Sequence, residues 1–143
     1  MEPEDRHSTA LAAIESSVCD DPDVTFVVAF GSRFDGDAGS KSDLDIGVKF
    51  TEDLSAHDRF RKRCFLFGDL QREDSPKIDV SDLEALPIDV AHDAVNGEFV
   101  CGDESAFRRF AAAVETAFER QRDDLRRHRE SVIERIAEEG LRG

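Results

Sequence analysis

Lysine is scarce in this chain. Four lysines stand beside fifteen arginines, and thirty-three acids outnumber the nineteen bases, leaving a net charge of −14 over 143 residues. A polynucleotide-binding surface normally carries a basic excess, and counterion release drives such binding weakly in high salt. Direct nucleic-acid binding is therefore a poor expectation, and a basic or arginine-bearing protein partner fits better. Long apolar runs are also missing. Nothing approaches the ~20 consecutive apolar residues that cross a bilayer. The N-terminus is acidic, with no apolar signal-peptide core, so the expectation is a cytoplasmic protein. Cysteine is sparse and odd in number. Cys19, Cys64 and Cys101 lie far apart and match neither a disulfide framework nor a zinc spacing. They are expected to be reduced thiols in the core. None of the four histidines, His7, His57, His92 and His128, neighbours a cluster of acids. They read as surface residues, and no Ser-His-Asp or Cys-His pair is evident.

What the chain does have is an ordinary apolar content of 39% and strong local patterning. The length is that of one domain, able to bury a core without staples. An acidic, lysine-poor composition of this kind resembles that of proteins from salt-loving microbes, whose carboxylates hold hydration water.

Helical spacing of Ala10, Leu11, Ile14 and Val18 predicts a helix over 4–18, ended by Pro22. Val24 to Phe30 is a nearly continuous apolar run and reads as a buried strand. Asp45 to Phe50 alternates and reads as a second strand. Residues 55–71 predict a helix capped by Ser55, with Phe60, Cys64, Phe65 and Phe67 inward. A short strand follows over 77–83. Pro87 opens a short helix closed by Gly97, and "EFVC" is extended. Asp103 caps a long helix to about Glu139, with Phe107, Phe110, Ala111, Val114, Phe118, Leu125, Val132, Ile133 and Ile136 on its apolar side. The order predicts an α/β (α+β) fold, a small mixed sheet flanked by helices. The arginine-rich part of the last helix is expected to pack on the domain and to form part of a partner surface.

Chemistry concentrates between the first two strands, in "FGSRFDGDAGSKSDLDIGV". Glycine at 31 lets backbone N–H groups approach a ligand closely, and a following helix turn would aim them at phosphate. Ser32 adds a hydroxyl donor. Asp43 and Asp45, two apart at a strand entry, point to one face. Two adjacent carboxylates repel, and a hard divalent cation such as Mg²⁺ or Mn²⁺ offsets the repulsion. Asp79, flanked by Ile78 and Val80, can join them if its strand lies beside the second. Three carboxylates of this kind can hold two metals for nucleotidyl transfer. Asp82 competes for the role, but reads better as a strand-end cap.

Gly31-Ser32, ten residues, then Asp43-Leu44-Asp45 reproduces a GSx(10)DxD signature. With "FGSR", "SDLDIGV", "KIDV" and "AVNGEFVCGDE", the chain resembles the minimal nucleotidyltransferase (MNT) branch of the DNA polymerase β-like nucleotidyltransferase superfamily. The resemblance covers residues 22–105 well and the terminal helices loosely. It implies one minimal domain over 1–143, a polymerase β-like fold, ATP as substrate, and metals on Asp43, Asp45 and Asp79. It also implies nucleotide contacts from Gly31 and Ser32, with Arg33 either at a phosphate or in a surface ion pair. Asp79 would complete the metal site and help deprotonate the nucleophile.

The implied function is that of an antitoxin transferring AMP to a tyrosine of a HEPN RNase toxin, in a type VII toxin–antitoxin system, as a homo- or hetero-oligomer. A non-catalytic antitoxin acting by occlusion and a small-molecule nucleotidyltransferase are the alternatives. One departure stands out. The branch often continues "GSRARG", whereas "GSRFDGDAG" places Asp35 and Asp37 near the phosphate site. Their charge should weaken nucleotide affinity, and salt would screen part of it. Arg122 and His128 match the Rx(4–6)H spacing of HEPN ribonucleases, an accidental match in so arginine-rich a helix.

Overall fold

A computed structural model of the chain describes residues 11–30, 44–71 and 78–140. Of the expected helix over 4–18, residues 11–17 are helical (α1) and 4–10 lie outside the described residues; Ile14 and the following Val18 are fully buried. The strands and helices that follow are β1 (Val24–Phe30), β2 (Leu44–Phe50), α2 (Ala56–Leu70), β3 (Ile78–Asp82), a 3₁₀ turn (Leu83–Ala85), α3 (Ile88–Val95), β4 (Glu98–Gly102) and α4 (Glu104–Gly140). The architecture is the expected mixed α/β one with a long C-terminal helix.

The four strands form one mixed sheet in the order β3-β2-β1-β4. β1 runs antiparallel to β2 and β4, whereas β2 and β3 are parallel. Period-two alternation splits the side chains between two apolar layers. Val27, Ala29, Leu44, Ile46, Val48, Phe50, Ile78 and Val80 pack with Ile14, Val18, Leu66 and Leu70 of α1 and α2. Phe26 and Val28 face the other way, onto Leu83, Ala94 and the partly buried Phe107 and Phe110. There Phe26 meets Phe107 edge-on at 5.5 Å between ring centroids, an arrangement that adds about 0.5–1.5 kcal/mol beyond area burial.

The inward face of α2 corrects the sequence reading. Phe60 and Phe65 are 56% and 65% exposed, and Cys64 is exposed too. The inward positions are Arg59, Lys62, Arg63, Leu66, Phe67 and Leu70. Three of these are basic because the neighbouring elements offer acids and carbonyls. Arg59 pairs with the buried Asp82 at 2.8 Å, and Lys62 with Asp21 at 2.7 Å. Hydrogen bonding to Asp21, and then to Asp23, holds the Lys62 ammonium above its ordinary pKa. Its pairing therefore persists below the ordinary lysine range and fades only as pH rises through the elevated value. Arg63 donates to Val80 O at 3.1 Å and Gln71 to Ile78 O at 2.9 Å. These are edge-strand carbonyls of β3, so α2 covers an edge that would otherwise be open to pairing.

The predicted caps form. Ser55 Oγ accepts from Asp58 N, Asp103 Oδ1 accepts from Ala106 N, and α3 starts after Pro87. Gly102 has φ +108°, and a Cβ there would strike Thr25 O and Phe26. Gly102→Ala is expected to lose roughly 1–3 kcal/mol, read as a lower urea midpoint with an unchanged slope.

Three further expectations are corrected. Cys19 and Cys101 are not separate thiols but form a disulfide, with 6.1 Å between Cα atoms. Their 82-residue separation hides the pairing, which exists because β4 pairs with β1 and returns Cys101 to the end of α1. The apolar side of α4 packs on the body only as far as Phe118. Beyond it Leu125, Ile133 and Ile136 are 58–64% exposed, because a helix of 37 residues, ~55 Å long, outruns the sheet beneath it. Arg122 and His128 lie on this exposed stretch. His92 is not a free surface residue either: its Nε2 lies 2.7 Å from Glu115, and its ring meets that of Phe118 at a tilt, 3.8 Å between centroids, joining α3 to α4. Among the described residues, no helix is long and apolar enough to cross a membrane.

Candidate active site

β2 and β3 fix the site. Leu44, Ile46, Ile78 and Val80 anchor both strands in the core, so the residues between them turn to the opposite face. In the parallel register Asp45 stands directly opposite Asp79. Partners in adjacent strands share a face and lie about 5 Å apart at the backbone. Both aspartates are half-buried. On the other flank of β2, Asp45 pairs with Phe30, the last residue of β1. Phe30, Asp45 and Asp79 therefore form a row across three strands, and Gly31-Ser32 follows Phe30 in the chain.

The sequence reading separated Asp79 from Asp82, and the structure places them as it expected. Asp79 is in the strand interior beside Asp45. Asp82 ends β3, is 7% exposed, caps the 3₁₀ turn through Glu84 N at 3.0 Å and binds Arg59. Asp82 is thus committed to structure. Gly31, Ser32, Arg33 and Asp43 lie outside the described residues, as do Asp35 and Asp37.

An open cavity of about 380 Å³ adjoins the pair, lined by Asp45, Asp79, Ser81, Arg63, Cys64 and Phe67. Its α2 wall was not anticipated. Arg63, Cys64 and Phe67 look unremarkable in a helix whose phenylalanines and cysteine were assigned to the core. The one available signal was "RKRCF", a basic cluster beside a thiol and a ring. A second groove, of about 540 Å³, lies at the opposite strand ends near Thr25, Lys49 and Arg109, away from the aspartate row.

Two side-by-side carboxylates suit a hard divalent ion such as Mg²⁺ or Mn²⁺, which binds oxygen donors and bridges to phosphate. The donor chemistry of Asp45 and Asp79 therefore fits such an ion. Among the described residues no group of three or more metal-binding side chains comes together, and the third expected ligand, Asp43, is outside them.

A small mixed sheet presenting an acid pair beside an open cavity, with a Gly-Ser sequence after the neighbouring strand, defines a nucleotidyltransferase domain. The chain belongs to the family described as "Polymerase beta, Nucleotidyltransferase", whose pattern matches residues 13–105. No curated protein matches the chain. Solved structures do resemble it in fold. A toxin–antitoxin crystallised with AMP-PNP is 19% identical, covers 92% of this chain and 99% of its own, and superposes with a TM-score of 0.61. The tri-AMPylated Shewanella oneidensis HEPN toxin in complex with MNT antitoxin gives 18%, 91%, 98% and 0.58. The toxin–antitoxin MntA–HepT gives 17%, 91%, 98% and 0.58.

Proposed function

We propose that this protein is a metal-dependent nucleotidyltransferase that moves AMP from ATP to a tyrosine of a HEPN-type RNase toxin, and so acts as its antitoxin in a type VII toxin–antitoxin system. The observation that carries the reading is the Asp45–Asp79 register at the head of two parallel strands. Family membership and the fold shared with toxin–antitoxin complexes, one holding AMP-PNP and one an AMPylated toxin, support it. The 143 residues contain no tyrosine, so a phenolic acceptor lies outside them.

In this mechanism Gly31 N–H and Ser32 Oγ–H donate to the ATP phosphates, with Arg33 at hand as a further cation. Asp43, Asp45 and Asp79 would hold Mg²⁺ or Mn²⁺, which supplies charge neutralisation to the phosphates. Asp79 accepts the proton of the incoming phenol, a poor nucleophile at its unperturbed pKa of about 10. AMP bound to the tyrosine would block the toxin's RNA site.

The test is to incubate the cognate toxin with ATP, Mg²⁺ and this protein and to take intact masses. The expected result is an increment of one or more AMP and loss of RNase activity. If RNase activity is lost without a mass increment, and Asp79→Ala protects equally well, the antitoxin acts by occlusion.

A further inference from the structure

We infer that the α2 wall of the cavity, formed by Arg63, Cys64 and Phe67, is the seat of the acceptor's aromatic ring and selects tyrosine over aliphatic hydroxyls. The inference rests on the nucleotidyl-transfer reading above and adds where the acceptor binds.

In-line displacement at phosphorus places the nucleophile and the leaving group on opposite sides of the reacting atom. The row Phe30–Asp45–Asp79 gives the site two ends. At the β1 end, the Gly-Ser sequence proposed for the phosphates follows Phe30 in the chain. The leaving pyrophosphate belongs there. The nucleophile must then arrive from the β3 end, past Asp79. Among the described residues β3 is the edge strand, and no further strand lies beyond it. What lies beyond is α2 and the cavity of about 380 Å³, which includes Asp79 and Ser81 in its lining.

The wall has the chemistry for a phenol. Phe67 is partly buried and packed against the core, so its ring is a fixed surface for stacking. Arg63 lines the cavity and spends one of its donors on Val80 O. A phenol losing its proton beside Asp45 and Asp79 develops negative charge next to carboxylates, and the Arg63 guanidinium opposes that cost. Cys64 is a free, exposed thiol at the rim, small enough to leave the mouth open. A serine or threonine hydroxyl would reach Asp79 without filling the space against Phe67.

In the resulting step the phenol oxygen bonds to the α-phosphorus. The bond from the α-phosphorus to the bridging oxygen breaks, and pyrophosphate departs with the electron pair. The phenol proton passes to the Asp79 carboxylate.

The experiment uses Cys64→Trp, which fills the mouth from an exposed position and should leave the fold intact, with Phe67→Ala as a second variant. AMP transfer from ATP to the partner toxin is followed at varied toxin concentration. Nucleotide affinity is titrated separately with a non-hydrolysable ATP analogue and Mn²⁺. Cys64→Trp is expected to raise the KM for the toxin at least tenfold, with nucleotide Kd within twofold of wild type. Phe67→Ala should raise KM and, on a toxin whose acceptor tyrosine is replaced by serine, narrow the tyrosine preference. A tenfold weaker nucleotide Kd with unchanged toxin KM would make this cavity the nucleoside site and overturn the proposal. Unchanged values for both would overturn it as well. Absence of transfer by the wild-type protein is a separate result: it removes the nucleotidyl-transfer reading itself, and this assignment with it.

Discussion

Under the proposed mechanism Asp79→Asn is expected to lower AMP transfer by about 10²–10⁴-fold, the usual loss when a positioned proton acceptor is removed. It leaves the melting temperature within about 2 °C of wild type. Asparagine keeps the size and hydrogen-bonding reach of the side chain, and a half-exposed position away from caps and core shifts stability by only about 0.5 kcal/mol. Asp82→Asn gives the opposite pattern. That carboxylate is buried against the Arg59 guanidinium, so neutralising it lowers the melting temperature, while transfer by the folded protein persists. The two variants are measured side by side by intact mass and thermal melt. Equal loss of transfer in both, or an unchanged rate in Asp79→Asn, would remove Asp79 from the chemistry.

Reduction of the Cys19–Cys101 bond is expected to lower the unfolding free energy by about 4.5 kcal/mol. The chain-entropy estimate for a loop of 82 residues sets that size. Small domains hold only about 5–15 kcal/mol in total, so the loss is a large share. Urea unfolding with and without reductant measures it, and Cys64→Ser, which touches neither paired sulfur, should leave the difference in place. Equal midpoints in the two conditions would show that the bond contributes nothing to stability.

The strands were legible because their apolar residues alternate or run continuously, and Asp79 was separable from Asp82 by its flanking Ile78 and Val80. Both judgements depend on neighbours in sequence. The failures depend on neighbours in space. Phe60 and Phe65 are more apolar than Arg59 and Arg63, yet the arginines face inward because Asp82 and the edge carbonyl of Val80 await them. Besides making these bonds, Lys62 and Arg63 lie over the exposed rings of Phe65 and Phe60, at 5.9 and 5.4 Å from their centroids. Cys19 and Cys101 could be matched only once β4 was known to pair with β1. The apolar periodicity of α4 continues past Phe118, but periodicity records a face and not whether anything covers it. The α2 side of the cavity was invisible for the same reason as the helix face: one rotation error moved Cys64 from rim to core.

The sulfur bridge also decides how the molecule bears tension. A pull on the two chain ends passes along the residues before Cys19, across the bond, and on through the residues after Cys101. β1, β2 and β3 sit inside the closed ring and carry none of the load. Stretching would peel α1 and α4 away and stop, leaving the strands that bear Asp45 and Asp79 inside the ring. A hidden length of roughly 290 Å, at ~3.5 Å per residue, would appear in a force trace only after reductant is added. A partner that hauls on the long helix could thus strain its own grip without pulling the aspartate row apart.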